Sequence, residues 1–288
     1  MENILFITDS ASDLEDEIEK KYPIKILDFK VQCDGKEFLT RKYSKEEFYD
    51  LVENCTDIPT TSQISPLEFV KTYSEAVKAG YNKILIILIN SKGSGTYNNS
   101  LLAKTVFFEE NPDQEGKVEI ESLDGCSYTG AYGQVVLDAA ELAKKGTKFS
   151  KIVEICSKKL PKRKIYFGCY SLKFAGKSGR IPSAAAFIGE ALAIKPVLEI
   201  YNNEIVTAKK IHGDKKLIPS IIDITEEEIV KDSPYSVVYG SDPTVRDEMV
   251  KRATERFGYP PVNCYQIGAA IAINAGPKVI GLIFDSEI

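Results

Sequence analysis

Lys83-Ile84-Leu85-Ile86-Ile87-Leu88-Ile89-Asn90-Ser91-Lys92-Gly93-Ser94-Gly95-Thr96-Tyr97 is the stretch that decides the fold class. Its first seven residues are apolar without alternation after Lys83, the pattern of a strand buried on both faces. That predicts a parallel sheet covered by helices. A Gly/Ser loop follows, then a helical segment to about Glu110. In an open α/β sheet, ligands collect beyond the carboxyl ends of the strands. Gly93 and Gly95 let the backbone come close to a ligand. The following helix N-terminus offers free N–H groups and a positive dipole end to an anion, and Ser94 and Thr96 add hydroxyls. The G-x-x-x-x-G-K-[ST] spacing of a phosphate loop is absent. The same residues equally suit a plain strand-to-helix turn capped by Ser94 or Thr96.

Outward from this stretch the alternation continues. Ile4–Ile7 reads as a buried strand, and Ser12 with Glu15 as a capping box that opens a helix. Ile24–Val31 reads as one strand, with Asp34-Gly35 as a turn. Ser44 and Glu47 form another capping box. Ser65-Pro66-Leu67-Glu68 combines an N-cap, a first-turn proline and an early glutamate, and that helix should stop at Gly80. Lys117–Ile120 is a strand and Ser127–Lys145 a helix. After a helix over Lys148–Lys159 the order changes. A strand at Lys164–Gly168 precedes a Gly/Ser-rich loop, and Ile194–Ile200 and Glu204–Lys210 form a hairpin around Asn202-Asn203. Ser236–Tyr239 and Val262–Gln266 flank a helix opened by Asp242-Pro243, and Val279–Phe284 is a final strand. The fold class is α/β, in two domains over residues 1–160 and 161–288.

The chain has 288 residues, 43% hydrophobic and 27% charged, with 37 basic against 42 acidic residues. A net charge of −5 argues against a nucleic-acid binder. The single histidine, His212, excludes a metal site built on several imidazoles and leaves a Ser–His–Asp triad one position to use. None of the six cysteines has C-x-x-C spacing, so the expectation is reduced, mostly buried thiols in a cytoplasmic protein with no signal peptide and no membrane span. No catalytic residues, metal or cofactor are expected.

Three further segments stand out. Thr60-Thr61-Ser62-Gln63 precedes Ser65, and capping consumes only Ser65, so the other hydroxyls are free for a ligand. Lys177 and Arg180 sit in a Gly-rich loop and suit an anion, a partner's acidic patch or plain solvation. Ile267–Pro277 is small and apolar apart from Asn274, and suits either the wall of an apolar ligand site or close core packing. Asp9 reads as a loop-orienting residue, and Glu121 and Asp124 lie in reach of the same loops.

Together these segments resemble the DegV family. The resemblance runs over nearly the whole chain. It is carried by Thr8-Asp9-Ser10-Ala11-Ser12-Asp13-Leu14, Thr61-Ser62-Gln63, Ser94-Gly95-Thr96-Tyr97, Lys177-Ser178-Gly179-Arg180-Ile181, Gly276-Pro277 and Gly281. It implies two α/β domains with a fatty acid buried between them. It also implies a bacterial, non-catalytic carrier that presents the carboxylate to a separate fatty-acid kinase for acyl-phosphate formation. The matching ligand residues are Thr61 and Ser94 at the carboxylate, with Ser62, Gly95 and Thr96 beside them. Asn274 stands where the family usually has His. Lys177 and Arg180 match the kinase-facing basic loop. The chain also departs from the family at Lys278, often Gly, and at His212-Gly213-Asp214, where the family is Arg-rich. Two other readings stay open: an enzyme using the Ser94 loop as a phosphate or carboxylate site, and a lipid buffer or sensor without kinase coupling.

Overall fold

The computed structural model describes residues 2–57, 59–181 and 194–286. Its first half runs β1 (Ile4–Asp9), α1 (Ile18–Lys21), β2 (Ile24–Leu27), β3 (Lys30–Cys33), β4 (Lys36–Leu39), α2 (Lys45–Asn54), β5 (Thr60–Ser62), α3 (Pro66–Lys78), β6 (Lys83–Leu88), α4 (Thr96–Glu110), β7 (Glu119–Asp124), α5 (Gly130–Lys144) and α6 (Phe149–Lys159). Strands β2-β1-β6-β7 form a wholly parallel sheet. Its central strand explains the apolar run: Ile84–Leu88 are all buried, because helices cover both faces. A small antiparallel sheet, β4-β3-β5, stands apart and pairs Thr61 with Val31.

Local signals survive where nothing distant competes. Ser44 and Glu47 form the reciprocal capping box of α2, and the Ser65 hydroxyl accepts the Glu68 N–H to cap α3. Two expectations fail for tertiary reasons. Ser12 opens no helix. The Asp9 carboxylate captures the Ala11 N–H, which limits Ser10–Ser12 to one 3-10 turn. Asp13 then turns to φ 54° and accepts the Gly268 N–H from the far end of the chain. Ile24–Val31 is two strands in two sheets. The corner is held by the Phe29 N–H on the Ser10 hydroxyl, and by the Thr40 hydroxyl and Arg41 on the Asp28 carboxylate. The strand expected at Lys117–Ile120 runs instead from Glu119 to Asp124.

The second half runs β8 (Arg163–Cys169), α7 (Ala175–Ser178), β9 (Ile194–Tyr201), β10 (Glu204–His212), α8 (Leu217–Glu226), β11 (Ser236–Tyr239), α9 (Pro243–Phe257), β12 (Asn263–Gln266), α10 (Ala269–Ala275) and β13 (Val279–Asp285). The loop expected around Lys177 contains the single turn α7. The strands form one sheet, β10-β9-β8-β13-β11-β12, antiparallel except for β11 and β12. Because successive side chains point to opposite faces, the sheet separates two cores. Tyr166, Val237, Leu282 and Phe284 pack with Leu217, Ile221 and Met249 of α8 and α9. Phe167, Leu198, Ile200, Val238 and Val279 join the core of the first half.

The expectation of reduced thiols throughout is corrected. Cys33 at the end of β3 and Cys55 just after α2 form a disulfide across 22 positions, and the Asp34 carboxylate lies within 4.8 Å of both sulfurs. Folding brings these residues together with no spacing signature to announce it. Cys156 and Cys169 are free and buried as expected, whereas Cys264 is free and exposed. Among the described residues, no helix is long and apolar enough to cross a membrane.

Candidate functional site

A cavity of about 490 Å³ lies between the inner face of the six-stranded sheet, the loops at the carboxyl ends of β6 and β7, and the Thr61–Gln63 segment. That size suits a small lipophilic molecule. Its apolar wall comes from Ile165, Phe167, Ile200, Ile205, Val238 and Val279 on the sheet, Phe29 and Ile89 opposite, and Ala270, Ile271 and Ala275 on α10. The small residues of the 267–277 stretch therefore serve both of the roles open to them, lining the cavity and packing α10 into the core.

Polar groups converge around Ser94. The loop after β6 is shaped by Asn90, whose carbonyl accepts the Gly93 and Ser94 N–H groups and whose side-chain oxygen accepts the Lys92 N–H. The Ser94 hydroxyl is hydrogen-bonded to the Thr96 hydroxyl at 2.9 Å, and the Thr96 hydroxyl accepts the Ile64 N–H at 3.3 Å. This chain ties the Ser94 loop to the Thr60–Gln63 segment. The two approach so closely that a β-carbon on Gly95 would lie 2.1 Å from the Gln63 side-chain oxygen. Thr61, Ser62, Ser94, Gly95 and Asn274 all line the cavity. Thr96 does not. It is fully buried behind Ser94 and hydrogen-bonded to the Ser94 hydroxyl. Asn274 donates one amide hydrogen to the Ala270 carbonyl, which leaves the other free. Arg180 lines the same cavity, whereas Lys177 is exposed and lies outside its wall.

The loop between β7 and α5 adds Tyr128 and Thr129, which the sequence reading passed over, to Asp124, which it named. The Asp124 carboxylate gathers the Ser91 and Cys126 N–H groups and the Asn203 side chain. Cys126 and Thr129 follow at φ 54° and 52°. For a β-branched threonine that conformation costs on the order of 1–3 kcal/mol and persists only where the surroundings impose it. Tyr128 and Thr129 both line the cavity. Their signal was positional, because this loop follows a parallel strand and precedes a helix, as the Ser94 loop does.

Two carboxyls sit behind the site. Asp9 is fully buried, accepts the Tyr132 hydroxyl at 2.6 Å and the Ile89 N–H at 2.8 Å, and burial pushes it up to about 6 despite those bonds. Asp13 rises to about 7 through burial, opposed by Lys45, the Thr129 hydroxyl and the Gly268 N–H. Asp9 thus orients the loop after β1, and neither carboxyl lines the cavity.

The model of the DegV family matches residues 3–287. A DegV domain-containing protein of Clostridium perfringens is 28% identical over 285 residues, covering 98% of both chains. Among solved structures, a fatty-acid-binding DegV family protein from Thermus thermophilus is similar with a TM-score of 0.83 at 26% identity, over 99% of each chain. DegV of Bacillus subtilis, described as a fatty acid binding protein, gives a TM-score of 0.84 at 25% identity over 100% of each chain.

Proposed function

Because this chain belongs to the DegV family, we propose that it is a non-catalytic carrier of a long-chain fatty acid. The observation that carries this reading is a largely apolar cavity whose polar lining gathers at two hydroxyl-bearing segments. The acyl tail fills the space between Phe167, Ile200, Val238 and α10. The carboxylate meets Thr61 and Ser94, with Ser62, Gly95 and Asn274 beside it. Thr96 accepts the Ile64 N–H and shares a hydrogen bond with the Ser94 hydroxyl in which either can donate; with Thr96 as the donor, the Ser94 hydrogen is free for the carboxylate.

Each buried CH₂ stabilises the complex by roughly 0.8 kcal/mol, so a tail of about sixteen carbons such as palmitate binds mainly through burial. The head group fixes orientation. Residues 1–160 and 161–288 act as the two domains around the lipid. Presentation of the carboxylate to a separate cytoplasmic fatty-acid kinase follows from the same reading. Arg180 stands in the cavity wall and Lys177 outside it, two cations that suit an incoming phosphoryl group and an acidic partner surface.

The test is denaturing mass spectrometry of the purified protein, followed by palmitate titration after delipidation. Co-purified fatty acid, or saturable palmitate binding, is the expected result. A protein that carries no fatty acid and binds none on addition is not this carrier.

A further inference from the structure

We propose that Tyr128 is a further head-group residue, its phenolic O–H donating to the ligand carboxylate beside Thr61 and Ser94. The proposal deepens the fatty-acid reading and depends on it.

Four observations converge on this residue. Tyr128 lines the cavity. Its hydroxyl lies against the Ser94 loop, since a β-carbon on Gly93 would fall 2.2 Å from the hydroxyl oxygen. Among the described residues that hydroxyl has no hydrogen-bond partner, while the neighbouring Asp124, Cys126 and Asn203 are tied together by several. The residue is half-buried and faces the cavity, so its hydroxyl is open to an acceptor that enters there. Finally, Arg180 lines the same cavity and acts electrostatically on Tyr128, which makes this end of the cavity receptive to an anion.

The backbone supports the assignment. The loop keeps Cys126 and Thr129 in the left-handed region. The Asn203 N–H on the Cys126 carbonyl at 3.1 Å and the Thr129 N–H on the Ala11 carbonyl at 3.0 Å hold it there. These bonds fix the backbone on both sides of Tyr128. Burial, reinforced by Asp124 and opposed by Arg180, pushes the phenol up to about 12. It therefore stays protonated, and a donor, at neutral pH. The donor is useful here because Asn274 has already given one amide hydrogen to Ala270.

A competing account is that the ring only fills space over Gly93. Tyr128→Phe keeps the ring and removes the O–H, so it separates the two. Affinities of the delipidated protein for palmitate and for uncharged 1-hexadecanol are measured by displacement of a fluorescent fatty acid. Palmitate affinity is expected to fall about tenfold, the effect of one hydrogen bond to a charged group, with 1-hexadecanol changing less than threefold. Unchanged palmitate affinity overturns the proposal, and so does an equal loss for both ligands, which marks a packing role. A parent protein that binds no palmitate overturns it together with the fatty-acid reading, whereas palmitate binding by parent and variant alike removes the Tyr128 role alone. In the unmodified protein, the ring-carbon NMR signal of Tyr128 should move on adding palmitate and not 1-hexadecanol. No palmitate-induced change would equally overturn the assignment, whether or not the variant folds.

Discussion

The Asp13 carboxylate accepts the Gly268 backbone N–H at 2.7 Å, joining positions 255 residues apart. The bond fixes the start of α10, the helix that carries Ala270, Ile271 and Asn274 into the cavity wall. It also makes stability depend on pH. Folded Asp13 titrates near 7 against an ordinary 3.8, with Asp9 behind it near 6. Between about pH 4 and 7 the folded state holds a proton that the unfolded state has released, so raising pH withdraws stability, on the order of a few kcal/mol over the window. Above pH 7 the contribution is gone and the dependence flattens.

Asp13→Asn keeps a residue tolerant of the left-handed conformation and abolishes this titration. The melting temperature of the variant should therefore gain on that of the parent as pH rises from about 4 to about 7. A difference that stays constant across that range would show that Asp13 titrates normally.

Thr61→Val and Ser94→Ala each remove one proposed donor to the carboxylate. Each is expected to weaken palmitate binding by roughly tenfold, equivalent to about 1.5 kcal/mol for a hydrogen bond to a charged group. Thermal stability should change little for Thr61→Val, because the Thr61 hydroxyl has no partner among the described residues, and fall by about 1 kcal/mol for Ser94→Ala, which removes the hydrogen bond to the buried Thr96 hydroxyl. Calorimetric titration of the delipidated variants makes the measurement. Affinities equal to the parent's would place the carboxylate elsewhere.

Ala270→Phe puts a ring into the cavity from a helix that already lines it. Lipid occupancy should be lost while the melting temperature of the delipidated protein holds or rises, since the added carbons bury apolar area at up to about 25 cal/mol per Å². Native mass spectrometry reads occupancy directly. Full occupancy would mean that the tail does not run past α10.

The disulfide closes a loop of 22 positions between Cys33 and Cys55, worth about 3 kcal/mol if the effect is chain entropy. Cys33→Ser with Cys55→Ser, or addition of a dithiol reductant, should lower the urea midpoint accordingly. Loosening should be felt at Thr61 first, because β5 pairs with β3, the strand that ends at Cys33. A midpoint indifferent to reductant would mean that the two sulfurs stay reduced in solution.

Much of the framework was legible in the chain. The Ile84–Ile89 run called for a doubly covered parallel strand, and the Ser44–Glu47 and Ser65–Glu68 signals placed α2 and α3. Asn202-Asn203, at φ 45° and 68°, turned the hairpin as its residue types required. The DegV motifs pointed to Thr61, Ser94 and Asn274, and all three line one cavity. Where the reading failed, a distant partner had intervened. Asp9 took the Ala11 N–H and Asp13 turned to the Gly268 N–H, so the chain after Ser12 left the helical path and the Ser12 hydroxyl capped nothing, and the Asp28–Arg41 corner split one apparent strand into two.

The sequence by itself determined most of the elements, their order and the family, because periodicity, caps and turns act over a few residues wherever no distant group competes. The tertiary structure alone decided who shares the cavity. It moved Thr96 behind Ser94, drew Arg180 into the wall while leaving Lys177 outside, joined Cys33 to Cys55 and set Tyr128 against Gly93. Those outcomes depend on how strand crossovers bring together segments tens to hundreds of residues apart, and no local pattern records that proximity.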